Sequence, residues 1–348
     1  MIKLSYIIPA HNASSFIWQT LDSIFSLPLN PNEYEVIVID DCSTDDTCDV
    51  IEQYRRDVLC VKFDVYPANL VFLKQPKNQR QGAARNRGIE IARGEYIAFC
   101  DADDSVVTEG VMNALAAVEK SHVDICYFDF EYEQHEGQWI RFDMPSEIRK
   151  TIMSADQYLN DYYTCYYNAP WRCLYRGDFL RLCGVRFEEG VRWEDCDWTV
   201  KVYAKAEQIQ FVDGIGYRYA QNESATSRQV DAQAMAEQIK AGVRLTVFAR
   251  EIEHNLPGLS KTLYEEAKYR YVIQNIRLRN VTKYNVLDMF SVYENLTDND
   301  WKVLKSLSLP SWETMVIKHH VLTLLILSIA CPLAAIGRKL VTLKRRRK

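Results

Sequence analysis

The chain has 348 residues, of which 48% are hydrophobic and 26% charged, and its formal net charge is -5. This composition is typical of a globular protein with a substantial core, and it excludes a disordered or fibrous chain. The negative net charge argues against a nucleic-acid partner. The ten cysteines include no C-x-x-C pair, which disfavours a zinc site and predicts reduced thiols.

Short apolar runs alternate with amphipathic stretches through about residue 130, a pattern typical of a mostly parallel sheet covered by helices. The first strand pattern begins within a few residues of Met1 and leaves no room for a signal peptide, so we expect a cytoplasmic catalytic body. The predicted strands are 4–8, 35–39, 70–73, 96–100 and 125–130, and the predicted helices are 14–25, 46–54, 82–92 and 109–119. Ligands of such sheets bind beyond the carboxyl ends of the strands, so the residues that follow each strand are the candidates for a binding site.

The first two strands are followed by polar turns rather than by glycine-rich ones. Pro9-Ala-His-Asn12 follows the first, and Asp40-Asp-Cys-Ser-Thr-Asp-Asp-Thr47 follows the second. The absence of G-x-G-x-x-G disfavours a dinucleotide site. The carboxylates of Asp40 and Asp41 can accept hydrogen bonds from a pyrimidine N–H or from ribose hydroxyls, which predicts a nucleoside site. For the later polar residues of this turn, capping of the next helix is the alternative.

The fourth strand is followed by Asp101-Ala-Asp-Asp104. Carboxylates this close together repel one another unless a cation is present, and oxygen ligands of this kind suit Mg²⁺ or Mn²⁺. The motif therefore predicts a divalent metal at the end of this strand. An ordinary acidic loop is the alternative reading of these residues alone.

Five motifs in this order resemble those of family 2 glycosyltransferases with the GT-A fold. They are Ile7-Ile-Pro-Ala-His-Asn12, Val38-Ile-Asp-Asp-Cys-Ser-Thr-Asp-Asp-Thr47, Gly82-Ala-Ala-Arg-Asn-Arg-Gly88, Asp101-Ala-Asp103 and Trp193-Glu-Asp-Cys-Asp197. Two later segments, 168–176 and 217–224, are similar to bacterial members that build surface polysaccharides. The resemblance implies an α/β fold with a nucleotide-binding, mostly parallel sheet flanked by helices and a helical C-terminal extension.

The resemblance also implies roles for particular residues. Pro9 and Asp41 would surround the nucleoside, Arg85 would lie near the donor phosphates or ribose, Asp101 and Asp103 would lie at the ribose and metal, and Asp195 would be the catalytic base. The implied reaction is an inverting transfer from a nucleotide diphosphate sugar, with UDP favoured by family frequency, to a hydroxyl of a saccharide or lipid-linked saccharide acceptor. In such a transfer one carboxylate takes the acceptor proton while the diphosphate leaves from the opposite face of the sugar.

Several alternatives remain open at this stage. Asp195 and its acidic neighbours also suit the positive end of a helix dipole. Trp171 and Tyr175 either stack on a sugar or belong to the core, and Arg218 is a further candidate for the diphosphate. A nucleotide-sugar binding module without turnover is the alternative function. A nucleotidyltransferase is disfavoured because the phosphate loop of such an enzyme, which is rich in glycine and in basic residues, is missing after the first strand.

We predict a catalytic domain over residues 1–230, with a nucleotide-sugar half (1–130) and an acceptor half (131–230), then a helical extension (231–310) and a tail (311–348). Amphipathic periodicity predicts helices over 232–254, 260–278 and 285–294 in the extension. Within the tail, residues 321–336 are almost wholly apolar but shorter than the about 20 residues that span a bilayer. The basic residues beyond are Arg338, Lys339, Lys344, Arg345, Arg346, Arg347 and Lys348. Apolar burial with basic attraction to anionic lipid predicts peripheral attachment to the inner face of the cell membrane. A C-terminal core helix or an oligomer contact is the alternative.

Overall fold

The computed structural model describes residues 1–63, 69–135, 137–142, 144–163, 169–222, 231–268, 292 and 295–307. The chain divides into two units, Met1–Ser227 and Arg228–Lys348.

The first unit is built on a mixed ten-stranded sheet, with strand order β3-β2-β1-β4-β9-β6-β10-β5, β7 paired with β6 and β8 paired with β10. The strands are β1 (Leu4–Ala10), β2 (Tyr34–Asp40), β3 (Leu70–Lys74), β4 (Tyr96–Phe99), β5 (Ser105–Val106), β6 (Ile125–His135), β7 (Gln138–Phe142), β8 (Ile152–Ser154), β9 (Cys173–Arg176) and β10 (Gln208–Tyr219). All five predicted strands are present, as β1 to β4 and β6. The α/β fold with a sheet flanked by helices is thereby confirmed.

Helices follow most of the early strands. They are α1 (Ile17–Phe25), α2 (Thr47–Tyr54), α3 (Cys60–Phe63), α4 (Arg80–Ile91), α5 (Thr108–Ser121), α6 (Ala155–Gln157), α7 (Gly177–Leu182) and α8 (Asp195–Tyr203). Single π-helical turns occur at Arg55–Leu59 and Tyr158–Tyr162, and 3₁₀ turns at Ser146–Ile148 and Pro170–Arg172. Each of the four early predicted helices is present, although α1 begins at Ile17 rather than at residue 14.

The central strands are parallel and buried on both sides. β1 lies between β2 and β4, with Ile7 opposite Ile37 and Phe99, and every residue of β1 and β2 is buried. A strand that is covered on both faces has a nearly continuous apolar sequence, which is why β1 and β2 could be predicted from the sequence. β9 was not predicted. It lies antiparallel between β4 and β6, so the sheet departs from the mostly parallel arrangement expected.

Helix α4 approaches β1 closely because residue 88 is a glycine. A Cβ atom at Gly88 would lie 2.3 Å from Cγ2 of Ile7, and one at Gly82 would lie 2.4 Å from the carbonyl oxygen of Glu188. Both distances are far below a van der Waals contact. The two glycines therefore let α4 lie against the strand on one side and against residues 187–194 on the other.

The second unit is helical in its described part, which contains α9 (Ala232–Ile252), α10 (Pro257–Glu266) and α11 (Asp298–Lys305). Asp231 caps α9 by accepting a hydrogen bond from the Ala234 N–H at 2.7 Å, and a capping box between Thr297 and Asp300 begins α11. The predicted helix 232–254 is thus present. The end of predicted helix 260–278, predicted helix 285–294 and the tail lie outside the described residues. In the described part of the chain, no helix is both long enough and apolar enough to cross a membrane.

Candidate active site

The turns after β1 and β2 are joined by hydrogen bonds. The Asn12 N–H donates to Oγ of Ser43 at 2.9 Å, and the Thr44 N–H donates back to Oδ1 of Asn12 at 2.8 Å. The Ser14 N–H donates to Asp45 at 3.1 Å. Burial raises the pKa of Asp45, but the hydrogen bonds that it accepts outweigh burial and lower that pKa to about 2. The polar residues of the second turn therefore hold the two turns together at the edge of the sheet. This role is distinct from the helix capping that the sequence also allows.

Asp40 and Asp41 face different surroundings although they are adjacent. The Asp40 carboxylate is fully buried and accepts hydrogen bonds from the N–H and the hydroxyl of Ser43, with the ammonium of Lys74 3.7 Å away. These partners hold the turn together. A nucleoside contact for Asp40 stays a prediction, and its side chain offers no exposed surface for it.

Asp41 retains a buried acceptor atom. Its Oδ1 accepts the Gln79 N–H at 2.8 Å and Nε2 of Gln75 at 3.1 Å, whereas its Oδ2 is buried without a hydrogen-bond partner. Burial raises the pKa of this carboxyl. A buried acceptor left unsatisfied costs roughly 1–3 kcal/mol, which a ligand N–H could offset. Pro9 is buried near the end of β1, where it pairs with Ile39 in the neighbouring strand.

Arg85 joins three segments of the site. The guanidinium on α4 is 2% exposed, donates to Oδ1 of Asp101 at 2.7 Å, and donates through its other terminal nitrogen to Glu194. It also lies 5.4 Å from the ring centroid of Phe187. Burial alone would lower its pKa, but the charges of Asp101, Glu194 and Asp195 outweigh that effect and raise it. The residue predicted to meet donor phosphates is thus engaged with the protein's own carboxylates.

The acidic loop after β4 divides into inward and outward carboxylates. Asp104 is buried and accepts the hydroxyl of Tyr217 at 2.6 Å and the N–H of Ala220 at 2.8 Å, so it anchors the loop to the end of β10. Burial, followed by the charge of its acidic neighbours, raises its pKa. Asp101 and Asp103 remain as the partly accessible pair. The sequence pattern alone does not distinguish Asp104 from the other two aspartates.

Asp101 and Asp103 provide the donor atoms that a divalent ion would need. Burial and the charge of Asp101 raise the pKa of Asp103, which also accepts Nδ2 of Asn222 at 3.2 Å. Across the described residues, no group of three or more His, Cys, Asp or Glu side chains could hold a metal. Two carboxylates nevertheless fit Mg²⁺ or Mn²⁺ that arrives with a diphosphate, because such ions are commonly held by one or two carboxylates together with water and substrate phosphates.

Residues 187–194 lead into α8 and carry the candidate base to the site. Asn86, one residue after Arg85, receives the Phe187 N–H at 2.9 Å and donates Nδ2 to the Phe187 carbonyl at 2.9 Å. Trp193 has a φ of 62°, a left-handed conformation that is strained for a bulky residue. Glu194 then turns inward to Arg85, and Asp195 begins α8 with its side chain partly exposed. Sequence reasoning missed the role of Asn86 although the residue belongs to a quoted motif.

The acids of this segment have separate environments. Burial, partly offset by Arg85 and reinforced by Asp195, raises the pKa of Glu194 to about 7. Asp197 is buried and paired with Lys201 at 2.7 Å, one turn along α8. Asp195 and Asp197 both lie in the first turn of α8, as the helix-dipole alternative expects, and the charges of Glu194 and Asp195 also act on Arg85.

The aromatic residues considered for sugar stacking belong to the core. Tyr175 is fully buried, and Trp171 is 5% exposed, with its ring stacked on Tyr217 at a centroid distance of 4.3 Å. Arg218, on β10, pairs with Glu131 of β6 at 2.9 Å, so its side chain contacts the β6–β7 hairpin rather than the Arg85 network. The core alternative is correct for both aromatic residues.

The geometry thus defines an α/β fold with an acidic site at one edge of its sheet, and comparison with known proteins gives its family. The family model described as "Glycosyl transferase family 2" matches residues 5–182, more than half of the chain, from the second residue of β1 to the end of α7. The chain belongs to glycosyl transferase family 2. The predicted family and enzyme class are therefore confirmed.

Three relatives are glycosyltransferases whose names state their acceptors. TarS of Staphylococcus aureus, a poly(ribitol-phosphate) beta-N-acetylglucosaminyltransferase, is 28% identical over 221 residues, 63% of this chain and 36% of TarS. A poly(ribitol-phosphate) beta-glucosyltransferase of Bacillus spizizenii is 28% identical over 220 residues, 63% of this chain and 32% of that protein. The chain thus spans about a third of the length of these two relatives. WfaP of Escherichia coli, a UDP-Glc:alpha-D-GlcNAc-diphosphoundecaprenol beta-1,3-glucosyltransferase, is 33% identical over 156 residues, 44% of this chain and 56% of WfaP.

Two solved structures share the fold. A 1–349 fragment of Staphylococcus aureus TarS in complex with UDP-GlcNAc matches 95% of this chain and 89% of that chain, with a TM-score of 0.64 and 21% identity. A mannosyltransferase of Pyrobaculum calidifontis in complex with GDP-Man and Mn²⁺ matches 94% and 86%, with a TM-score of 0.52 and 14% identity. At these identities the likeness supports the GT-A fold and no particular substrate.

Replacing Glu194 should change how stability depends on pH. Because the folded-state pKa of about 7 exceeds the ordinary value of 4.5, the folded protein binds this proton more tightly than the unfolded chain. Wild type therefore loses stability from this group as pH rises through that window, whereas Glu194→Gln has no proton to lose. We expect the unfolding free energy of wild type to fall relative to that of Glu194→Gln as the pH rises from about 4.5 to about 7.

The measurement is urea unfolding at half-unit pH steps, with Glu119→Gln, an exposed carboxylate, as the control. Parallel stability curves for wild type and Glu194→Gln would show that burial does not perturb this group.

Proposed function

We propose that the chain is an inverting, metal-dependent glycosyltransferase that moves a sugar from a UDP-sugar to a hydroxyl of a cell-surface saccharide or lipid-linked saccharide. The observation that carries this proposal is the double ion pair of Arg85 with Asp101 and Glu194. Through it, the acidic loop proposed for the donor and the segment that bears Asp195 meet at one edge of the sheet. A donor-binding module without turnover would not require a carboxylate such as Asp195 in that place.

The nucleoside end of the donor is assigned to Asp41 and Pro9. The unsatisfied Oδ2 of Asp41 can accept the ring N–H of uracil, which is the kind of donor that a buried carboxylate oxygen lacks here. A UDP-sugar is also named for a similar protein, as the UDP-Glc donor of WfaP, and this similarity supports UDP.

In the proposed mechanism Asp195 accepts the proton of the acceptor hydroxyl as that oxygen attacks the anomeric carbon. The Glu194 and Arg85 pair orients this residue by holding the start of α8 against α4. Asp101 and Asp103 would hold Mn²⁺ or Mg²⁺, which when bound supplies positive charge to the leaving diphosphate. Arg85 places a positive charge beside these acidic residues through its ion pairs with Asp101 and Glu194.

The Asp195→Asn substitution tests the base. We expect turnover to fall by roughly 10² or more while UDP affinity stays within a few-fold of wild type, because only the proton acceptor is removed. The measurement compares UDP-sugar turnover with UDP binding by calorimetry. Asp49→Asn, at an exposed position of α2, is the control. A collapse of UDP affinity would instead assign Asp195 to the donor site.

The Asp103→Asn substitution tests the metal site with a binding readout. We expect Mn²⁺ to strengthen UDP binding to wild type and the variant to lose about tenfold or more of that enhancement, because one of two anionic ligands is removed. Calorimetric titration of UDP in Mn²⁺ and in EDTA gives both numbers. Wild-type UDP affinity that is the same in both buffers would reject the metal assignment.

The tail, residues 311–348, is proposed to attach the enzyme to the inner face of the cell membrane, as its apolar and basic sequence indicates. In full-length protein, Arg345→Gln, Arg346→Gln and Arg347→Gln together should weaken binding to anionic vesicles by about 3 kcal/mol, since each basic residue contributes on the order of 1 kcal/mol. Vesicle co-sedimentation at low and high salt measures this, with neutral vesicles as the control. Equal sedimentation of the triple variant and wild type would exclude electrostatic attachment.

A further inference from the structure

An exposed indole stands on the β6–β7 hairpin. Trp139 is 37% exposed, and it is the one aromatic side chain among the large hydrophobic residues exposed in the described part of the chain. The guanidinium of Arg218 lies over its ring, 5.4 Å from the centroid, and forms an ion pair with Glu131 at 2.9 Å. A cation at this distance stabilises one ring face. The indole is therefore held in place rather than left loose on the surface.

The hairpin adjoins the acidic loop through one short segment of chain. The Gln221 N–H donates to Glu133 of β6 at 3.1 Å, and Trp139 is the register partner of Glu133. The residues on either side of Gln221 contact the acidic loop, since the Ala220 N–H donates to Asp104 and Nδ2 of Asn222 donates to Asp103. Trp139 thus lies one strand and one backbone segment away from the carboxylates proposed for the donor.

The charges on the hairpin favour a neutral ligand. Arg218 is paired with Glu131, and Arg141 is paired with the buried Asp129 at 2.7 Å. A phosphate would have to draw a guanidinium away from one of these carboxylates. A neutral sugar needs no such exchange, because its apolar ring face packs against an indole while its hydroxyls exchange hydrogen bonds with an Arg and Glu pair.

We propose that Trp139, Arg218 and Glu131 form an acceptor subsite that binds a neutral sugar ring of the saccharide acceptor. The ring stacks on the face of the Trp139 indole opposite Arg218, and the ion pair binds the sugar hydroxyls at its rim. The proposal rests on the proposed function, because it takes the adjoining carboxylates to be the donor site. The subsite holds a sugar unit at a distance from the reacting hydroxyl, and so it contributes to acceptor affinity rather than to the chemical step.

The test uses full-length wild type, Trp139→Ala and Trp139→Phe, with Ile152→Ala as an exposed apolar control on β8. Two quantities are measured: hydrolysis of UDP-sugars with Mn²⁺ in the absence of acceptor, and binding in the presence of UDP to an array of neutral oligosaccharides and polyol-phosphate polymers. We expect Trp139→Ala to weaken binding to the preferred neutral glycan about tenfold and Trp139→Phe to retain most of it, as stacking requires an aromatic face. Donor hydrolysis should be unchanged in all four proteins.

The outcomes separate the two proposals. Equal glycan affinity for Trp139→Ala and wild type, or wild-type binding to none of the glycans, would overturn the subsite while donor hydrolysis upholds the enzyme. Preference of wild type for the polyol-phosphate polymers would overturn the neutral class of ligand. Absence of hydrolysis with every UDP-sugar, combined with Trp139-dependent glycan binding, would contradict the transferase and leave the subsite standing.

Discussion

A guanidinium withdrawn almost completely from water has to be compensated, and in this protein the compensation organises the site. Transfer of an ion into the interior costs several kcal/mol, and removal of one partner from such a pair costs about 3–5 kcal/mol. Arg85 gains its compensation from Asp101 and Glu194, which belong to two other segments of the chain. The acidic loop after β4 and the start of α8 are therefore coupled to α4. If either segment moved away, the buried guanidinium of Arg85 would lose one of its two carboxylate partners.

The close packing of α4 makes this coupling geometrically possible. Gly88 admits the side chain of Ile7, and Gly82 admits the backbone at Glu188, so that the helix touches both the sheet and the segment before α8. Asn86 adds two hydrogen bonds to the backbone of Phe187 on the same side. One short helix thus supplies close packing, backbone recognition and charge. This explains in physical terms why its glycines, arginine and asparagine occur together.

The strands of residues 1–130 could be predicted from local sequence because each is an apolar run between polar turns, and β1, β2 and β4 are buried along their whole length. The same reasoning located the strand-end aspartates, since parallel strands end at one edge. It could not decide which aspartates turn inward. Asp104 does so because Tyr217, more than a hundred positions away, offers a hydroxyl, and Arg85 meets Glu194 at a similar separation. The insertion of β9 between β4 and β6 is likewise a long-range pairing, and it explains why Trp171 lies in the core beside Tyr217.

The charge balance of the site limits the form in which a donor can bind. Asp101, Asp103, Glu194 and Asp195 carry up to four negative charges in the same region, and Arg85 compensates only part of them. A diphosphate that entered alone would add further negative charge beside these carboxylates, and the repulsion would be strong because the site is largely shielded from water. A diphosphate accompanied by a divalent cation brings its own compensation, and the outward-facing Asp101 and Asp103 are the residues that remain accessible to such a cation. The inward position of Asp104 and the burial of Arg85 therefore favour binding of donor and metal together over binding of the nucleotide alone.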